Sequence, residues 1–123
     1  MIHVAETVLG FTALALLMFS PALGLAHRTL LVTSFCMSYT SLLMLLGSMS
    51  SPFTDTYMPL SLYFFLFHLV AIIFYSGTAL YTFWRSGEDT FSKLAAVAGA
   101  FAGYSHYLHA QRCFVRVFNQ PED

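Results

Sequence analysis

Charged residues are the scarcest feature of this chain. Asp, Glu, Lys and Arg make up only 9% of its 123 residues, and the formal net charge is −1. Soluble domains carry roughly 25% charged residues, so this composition excludes an ordinary water-facing globule. A nearly neutral chain also lacks the basic field that nucleic acid binding requires, which excludes nucleic acid as a partner.

Cysteine clusters and catalytic motifs are lacking too. The two cysteines, Cys36 and Cys113, lie far apart and form no CxxC pattern, which predicts neither a disulfide framework nor a zinc site. The sequence contains no nucleophile elbow, P-loop or metal-binding helix pair. We therefore expect no catalytic residues, no metal site and no enzymatic activity of the chain by itself.

Long uncharged stretches stand in place of the missing charge. They cover residues 7–27, 29–54, 56–84 and 94–111, and a helix that crosses a bilayer needs about 20 apolar residues. The sequence therefore predicts an all-α, polytopic integral membrane protein with one transmembrane domain over residues 1–123. Its predicted spans are about 7–25, 30–47, 60–84 and 91–111, followed by a short amphipathic tail at 112–118.

The connections between these stretches predict how the spans are arranged. The links at 25–29 and 85–93 are short, which favours two antiparallel hairpins with both termini on the same side. Because the segment MIHVAE has no Lys or Arg, the first stretch is predicted to be a span and not a signal peptide. With that span beginning near residue 7, no Asp or Glu lies inside any span, which argues against a proton relay or a cation-coupled carrier.

A ladder of small residues, Ala95, Gly99 and Gly103, marks the fourth span. At a spacing of four residues they share one helix face, where another helix backbone can approach closely. The ladder predicts a helix-packing surface. Its partner is either the third span or another subunit.

His68 and His106 lie at similar predicted depths in consecutive antiparallel spans. From a helix rise of 1.5 Å per residue they are about 12 and 8 Å from the same face. Neutral imidazoles at matched depth can ligate a b-type haem, or hold a quinone together with Tyr104 or Tyr107. The alternative is that each histidine bonds a neighbouring hydroxyl or carbonyl group. We expect no cofactor, with haem b as the alternative.

A basic row marks the end of the fourth span. His109, Arg112 and Arg116 fall at i, i+3 and i+7, on one face of a helix. Arginine at headgroup level can grip lipid phosphates with two hydrogen bonds. The row predicts a contact with an anionic phospholipid such as cardiolipin, whereas its simpler interpretation is a solvated helix end.

Three classes of function remain. The first is a non-catalytic accessory subunit of a large membrane complex, for which we expect an energy-converting complex (respiratory chain or ATP synthase) of the mitochondrial inner membrane. Its partners would be other membrane subunits and phospholipid. The second is a haem- or quinone-binding membrane anchor that uses His68 and His106. The third is a small oligomeric channel or carrier lined by the hydroxyl groups of the second span, Thr33, Ser34, Ser38, Thr40 and Ser41.

Overall fold

The computed structural model of the protein describes residues 2–21 and 24–118. All regular elements in these ranges are helices and none is a strand, which confirms the all-α prediction. The predicted domain of residues 1–123 also includes residues 1, 22, 23 and 119–123, which the structure does not describe. The helices are α1 (Ile2–Phe19), α2 (Leu25–Ser50), α3 (Pro52–Tyr57), α4 (Leu62–Arg85) and α5 (Thr90–Phe118), with a 3₁₀ turn at Met58–Leu60.

The four long helices form a closed bundle in which neighbours alternate in direction. Helix α1 packs against α2 and α5, and α4 packs against the same two helices. At one end the Thr82 hydroxyl of α4 donates to the Ala26 carbonyl of α2 at 3.0 Å. At the other end Met44, Phe64 and Cys113 form a small apolar cluster.

Helix α1 differs from the predicted first span at both of its ends. It begins at Ile2 instead of near residue 7, because nothing in IHVAE breaks a helix, and it ends at Phe19, just before Pro21. Proline at this position fixes the backbone and removes a helical hydrogen bond. The predicted boundary at residue 25 is therefore wrong, and α1 includes Glu6, which the prediction placed before the first span.

Helix α2 begins at Leu25, so residues 25–29, predicted as a link, are helical, whereas α4 and the start of α5 lie within two residues of the prediction. Helix α2 continues to Ser50, so the stretch between the predicted second and third spans consists of a helix end, the short α3 and the 3₁₀ turn. The Ser51 hydroxyl caps α3 by accepting from the Thr54 N–H at 3.4 Å. The predicted tail at 112–118 continues α5 without a break.

Two of the helices, α2 and α4, are long and apolar enough to cross a membrane. The shorter apolar segment of α1 covers His3–Phe19. Each of the four long helices has large apolar side chains exposed on the outer surface of the bundle, for example Val8, Val32, Ile73 and Phe101.

Small residues bring α5 close to its neighbours. A Cβ atom on Gly103 would lie 3.1 Å from Tyr75 Cβ of α4, and one on Gly99 would lie 3.2 Å from Leu30 Cδ1 of α2. Ala95, one turn earlier, is fully buried. The structure thus places the predicted ladder against helices of the same chain, and this close packing brings the polar side chains of α1, α4 and α5 together.

Candidate functional site

Glu6 of α1 lies at the centre of the most polar part of the bundle core. Its side chain is fully buried. His3, one helical turn earlier, points the same way, and its Nδ1 donates to Glu6 Oε2 at 3.1 Å. The i, i+3 spacing places both residues on one helix face, so α1 supplies a carboxylate and an imidazole to the same site.

Helices α4 and α5 bring three further histidines to the same carboxylate. The Nδ1 atoms of His109, His106 and His68 lie 2.9, 3.3 and 3.4 Å from Glu6 Oε1. His106 and His109 are again separated by three residues, so they share one face of α5. Four of the five histidines in the chain therefore converge on Glu6, and we call these five residues the His–Glu cluster.

His68 and His106 are also bonded to each other, with their Nδ1 atoms 2.8 Å apart. One ring must donate through Nδ1 while the other accepts, so two neutral rings carry their protons on different nitrogens. Their Nε2 atoms are buried and have no hydrogen-bond partner within the described part of the chain. The pair is well packed but incompletely satisfied.

Aromatic rings hold the histidines in place. The Phe64 ring meets those of His3, His68 and His109 edge-on, with centroids 4.5–5.4 Å apart. His68 and His109 stack at 4.4 Å, and Tyr75 stacks on His106 at 5.7 Å. These contacts restrict ring rotation, which keeps the Nδ1 atoms directed at Glu6.

The cluster reaches the surface at one end of the bundle. His3 and His109 line a cleft of about 240 Å³ there, and their side chains are 14% and 12% exposed. Asp55, Arg112 and Arg116 form the charged part of its rim. His68, His106 and Glu6 lie deeper and are sealed from solvent.

A buried, ionised Glu6 carboxylate needs a positive charge close to it. Removing a charge from water is costly unless an opposite charge and hydrogen bonds compensate for it. The partners of Glu6 are histidines, which are neutral unless they take up a proton. The arrangement is therefore suited to holding a cation, either a proton shared with a ring or a metal ion.

The structure brings the predicted site residues together only in part. His68 and His106, predicted as a pair, are in contact, and His109 joins them in the cluster. Arg112 and Arg116 lie exposed beside the cleft. Sequence reasoning missed His3 and Glu6, although the i, i+3 spacing of two polar residues in an otherwise apolar helix was a usable signal.

The hydroxyl row of α2 mostly faces the interior of its own bundle. Ser34, Ser38 and Ser41 are buried, and Ser38 lies 3.4 Å from the hydroxyl of Tyr75. Thr40 instead bonds back to the Cys36 carbonyl of its own helix. The buried serines therefore face neighbouring helices of the same chain, whereas Thr40 is satisfied within α2.

The fold and the site together define an antiparallel bundle of four long helices with a buried histidine–carboxylate cluster near one end. Comparisons with protein-family models, with curated proteins and with solved structures give no match to this chain.

Proposed function

We propose that this protein is an integral membrane protein whose four long helices all cross the bilayer. The proposal is carried by the inverted distribution of polarity in the bundle. Glu6, His68, His106 and the α2 serines are buried, whereas large apolar side chains cover the outer surface of every long helix. Soluble monomers rarely expose continuous apolar patches of this kind, but lipid tails and partner helices cover them readily.

The positions of the charged side chains support the same arrangement. Arg28, Arg85 and Lys93 lie at one end of the bundle, and Arg112 and Arg116 lie at the other. The 18 residues of α1 span about 27 Å, close to the roughly 30 Å thickness of the hydrocarbon core. Helix α5 is less apolar, but its polar residues Ser92, Ser105 and His106 face the protein interior, where neighbouring helices shield them from lipid.

Within the membrane we propose the role of a non-catalytic accessory subunit of a multi-subunit complex. The described residues form one bundle joined by short connections, and the exposed aromatic side chains offer partner helices a large surface. The proposed setting is an energy-converting complex, of the respiratory chain or ATP synthase, in the mitochondrial inner membrane. Small multi-pass chains are common there, and anionic phospholipid would complete the contacts.

Native gel electrophoresis tests this role. A tagged full-length chain, extracted with a mild detergent from isolated inner membranes, is expected to migrate with a large complex and to remain in the membrane after alkaline carbonate washing. Migration as a lone monomer would contradict the subunit role, and release by carbonate would contradict the membrane spans.

A haem- or quinone-binding anchor is the second candidate, favoured by the buried, unpartnered Nε2 atoms of His68 and His106 on facing helices. It ranks below the first because the two rings are bonded directly to each other and would have to separate to admit a cofactor. A Soret band in the purified protein that disappears in His68→Ala would reverse this ranking.

A further inference from the structure

We propose that His3, Glu6, His68 and His109 bind one divalent transition-metal ion, of the zinc or ferrous class. Each histidine offers one ring nitrogen and Glu6 one carboxylate oxygen, and these four atoms all lie within 4.8 Å of one another. This site goes beyond the accessory role proposed above. It also replaces the expectation of no metal site, which was drawn from residue spacing along the chain.

Distances around the carboxylate are close to those between ligands in a coordination shell. Zinc binds imidazole nitrogen and carboxylate oxygen at about 2.0–2.2 Å, so two ligands of a tetrahedral ion lie roughly 3.3–3.6 Å apart. The Nδ1 atoms of His3, His109 and His68 are 3.1, 2.9 and 3.4 Å from the nearer Glu6 oxygen. The four donor atoms are up to 4.8 Å apart, so binding draws the widest pair together by about 1 Å, and His68 Nδ1 must leave its hydrogen bond to His106.

One contact in the cluster requires a cation, either a proton or a metal ion. Since His68 and His106 share a hydrogen bond between Nδ1 atoms, one of these two nitrogens carries a lone pair and no proton. That bare nitrogen lies 3.3 or 3.4 Å from Glu6 Oε1, and two electron-rich acceptors repel at this distance. A proton on Glu6 Oε1 or a metal ion next to the bare nitrogen turns the repulsion into attraction, and the metal ion does so when His68 has the bare nitrogen.

The donor set indicates the class of metal. Imidazole nitrogen suits zinc, ferrous iron, nickel and copper, whereas magnesium and calcium prefer a shell of oxygen ligands. Three nitrogens with one carboxylate favour zinc or ferrous iron among these. The fixed orientation of the rings by Phe64 supplies the preorganisation that such a site needs.

The cleft provides a route for the ion. His3 and His109 form its inner wall, so these two ligands are reachable from outside while Glu6 and His68 stay sealed. Asp55 on the rim attracts a cation, in opposition to Arg112 and Arg116. An ion would therefore contact the two outer histidines first.

Direct metal analysis of the full-length protein in detergent tests the site. After chelation and removal of the chelator, we expect the protein to bind about one Zn²⁺ per chain in competition with a chromophoric chelator. Co²⁺ in place of Zn²⁺ should give the intense visible bands of a tetrahedral ion. Substoichiometric Zn²⁺ binding by the folded wild-type protein would overturn the proposal, and iron that accompanies a Soret band would assign the histidines to haem instead.

Matched variants locate the bound ion. Glu6→Gln keeps the side-chain size but removes the charge, and it should weaken Zn²⁺ binding by more than the roughly 10–100-fold typical of outer-shell changes. His27→Gln is the control, because His27 is the one histidine outside the cluster and bonds the Leu17 carbonyl near the opposite end. It should bind Zn²⁺ as the wild-type protein does.

A second ligand variant keeps the test decisive if Glu6→Gln does not fold. His109→Gln changes a partly exposed ring at the cleft and should also lower Zn²⁺ affinity, with helix content unchanged by circular dichroism. Equal affinity in His109→Gln and His27→Gln would exclude the proposed ligand set. Since metal content is measured on the isolated chain, failure of the accessory role would leave this result unaffected.

Discussion

Gly10 of α1 lies so close to Ser38 of α2 that a methyl group on Gly10 would overlap the Ser38 hydroxyl. The same methyl group would be 2.7 Å from the hydroxyl of Tyr75 in α4. Three helices therefore meet at this point, where one of them has no side chain. Close approach of this kind gains dispersion contacts, which stabilise helix association in lipid.

Replacing Gly10 by alanine should destabilise the bundle. Overpacking of a close contact costs about 1–3 kcal/mol, so we expect a lower thermal midpoint in detergent for Gly10→Ala. Gly77→Ala is the matched control, because Gly77 lies in α4 with open space around it and alanine favours the helix. Equal midpoints for the two variants would show that the contact at Gly10 is not close.

The hydrogen bond from Thr82 to Ala26 links α4 to α2 at the end away from the His–Glu cluster. Thr82→Val keeps the shape but leaves the carbonyl without this donor, so it should lower the free energy of unfolding by about 0.5–1.5 kcal/mol. Thr78→Val is the comparison, since Thr78 donates to Phe74 of its own helix at 2.6 Å. If Thr78→Val lowered the free energy of unfolding by as much, the hydrogen bond between helices would contribute no more to stability than one within a helix.

Asp89, between α4 and α5, makes stability depend on pH. Hydrogen bonds from the hydroxyls of Ser20 and Ser92 hold the pKa of this carboxyl below its usual value, helped by the Phe91 N–H. Such a group stabilises the fold fully above its unfolded pKa of about 3.9 and loses that contribution as pH falls through the lower folded value.

Asp89→Asn should therefore lower the thermal midpoint at pH 7 and have a progressively smaller effect toward pH 3. Glu88→Gln, at the exposed neighbouring carboxylate, serves as the control at each pH. If the effect of Asp89→Asn were the same at both pH values, the ionised carboxylate would not be the stabilising form.

Arg112 and Arg116 remain a predicted contact with anionic phospholipid, and both are exposed near the cleft. A basic side chain near an anionic membrane surface contributes about 1 kcal/mol to binding. Replacing both arginines by glutamine should therefore weaken binding of the anionic phospholipid by about 30-fold. Mass spectrometry of co-purified lipid measures this. The pair Arg28→Gln and Arg85→Gln, at the opposite end, should retain the lipid, and unchanged lipid in the first pair would exclude the contact.

The helical fold was predictable because long uncharged stretches separated by polar links favour apolar helices whatever their partners are. Boundaries were less predictable. Helix α1 continues through Glu6, which looks like a flanking charge in the sequence but has histidines from α4 and α5 as partners in the bundle. Only the packed bundle supplies those partners, so hydropathy alone placed the helix start too late.

The candidate site was also predictable from the sequence only in part. Similar depth along antiparallel helices was enough to pair His68 with His106, because helix rise converts sequence distance into length. The rotation of each helix about its axis is not fixed by depth. That rotation turns His109 toward Glu6, 2.9 Å away, while it leaves Arg112 and Arg116 exposed.

The sequence by itself determined an all-helical chain, the positions of its apolar segments and the small-residue face at Ala95, Gly99 and Gly103. These properties depend on local composition and periodicity, which each segment carries alone. The tertiary structure decided which polar side chains meet. Contacts among α1, α4 and α5 depend on the relative rotation and close approach of three helices, and only these brought Glu6 and four histidines to one point.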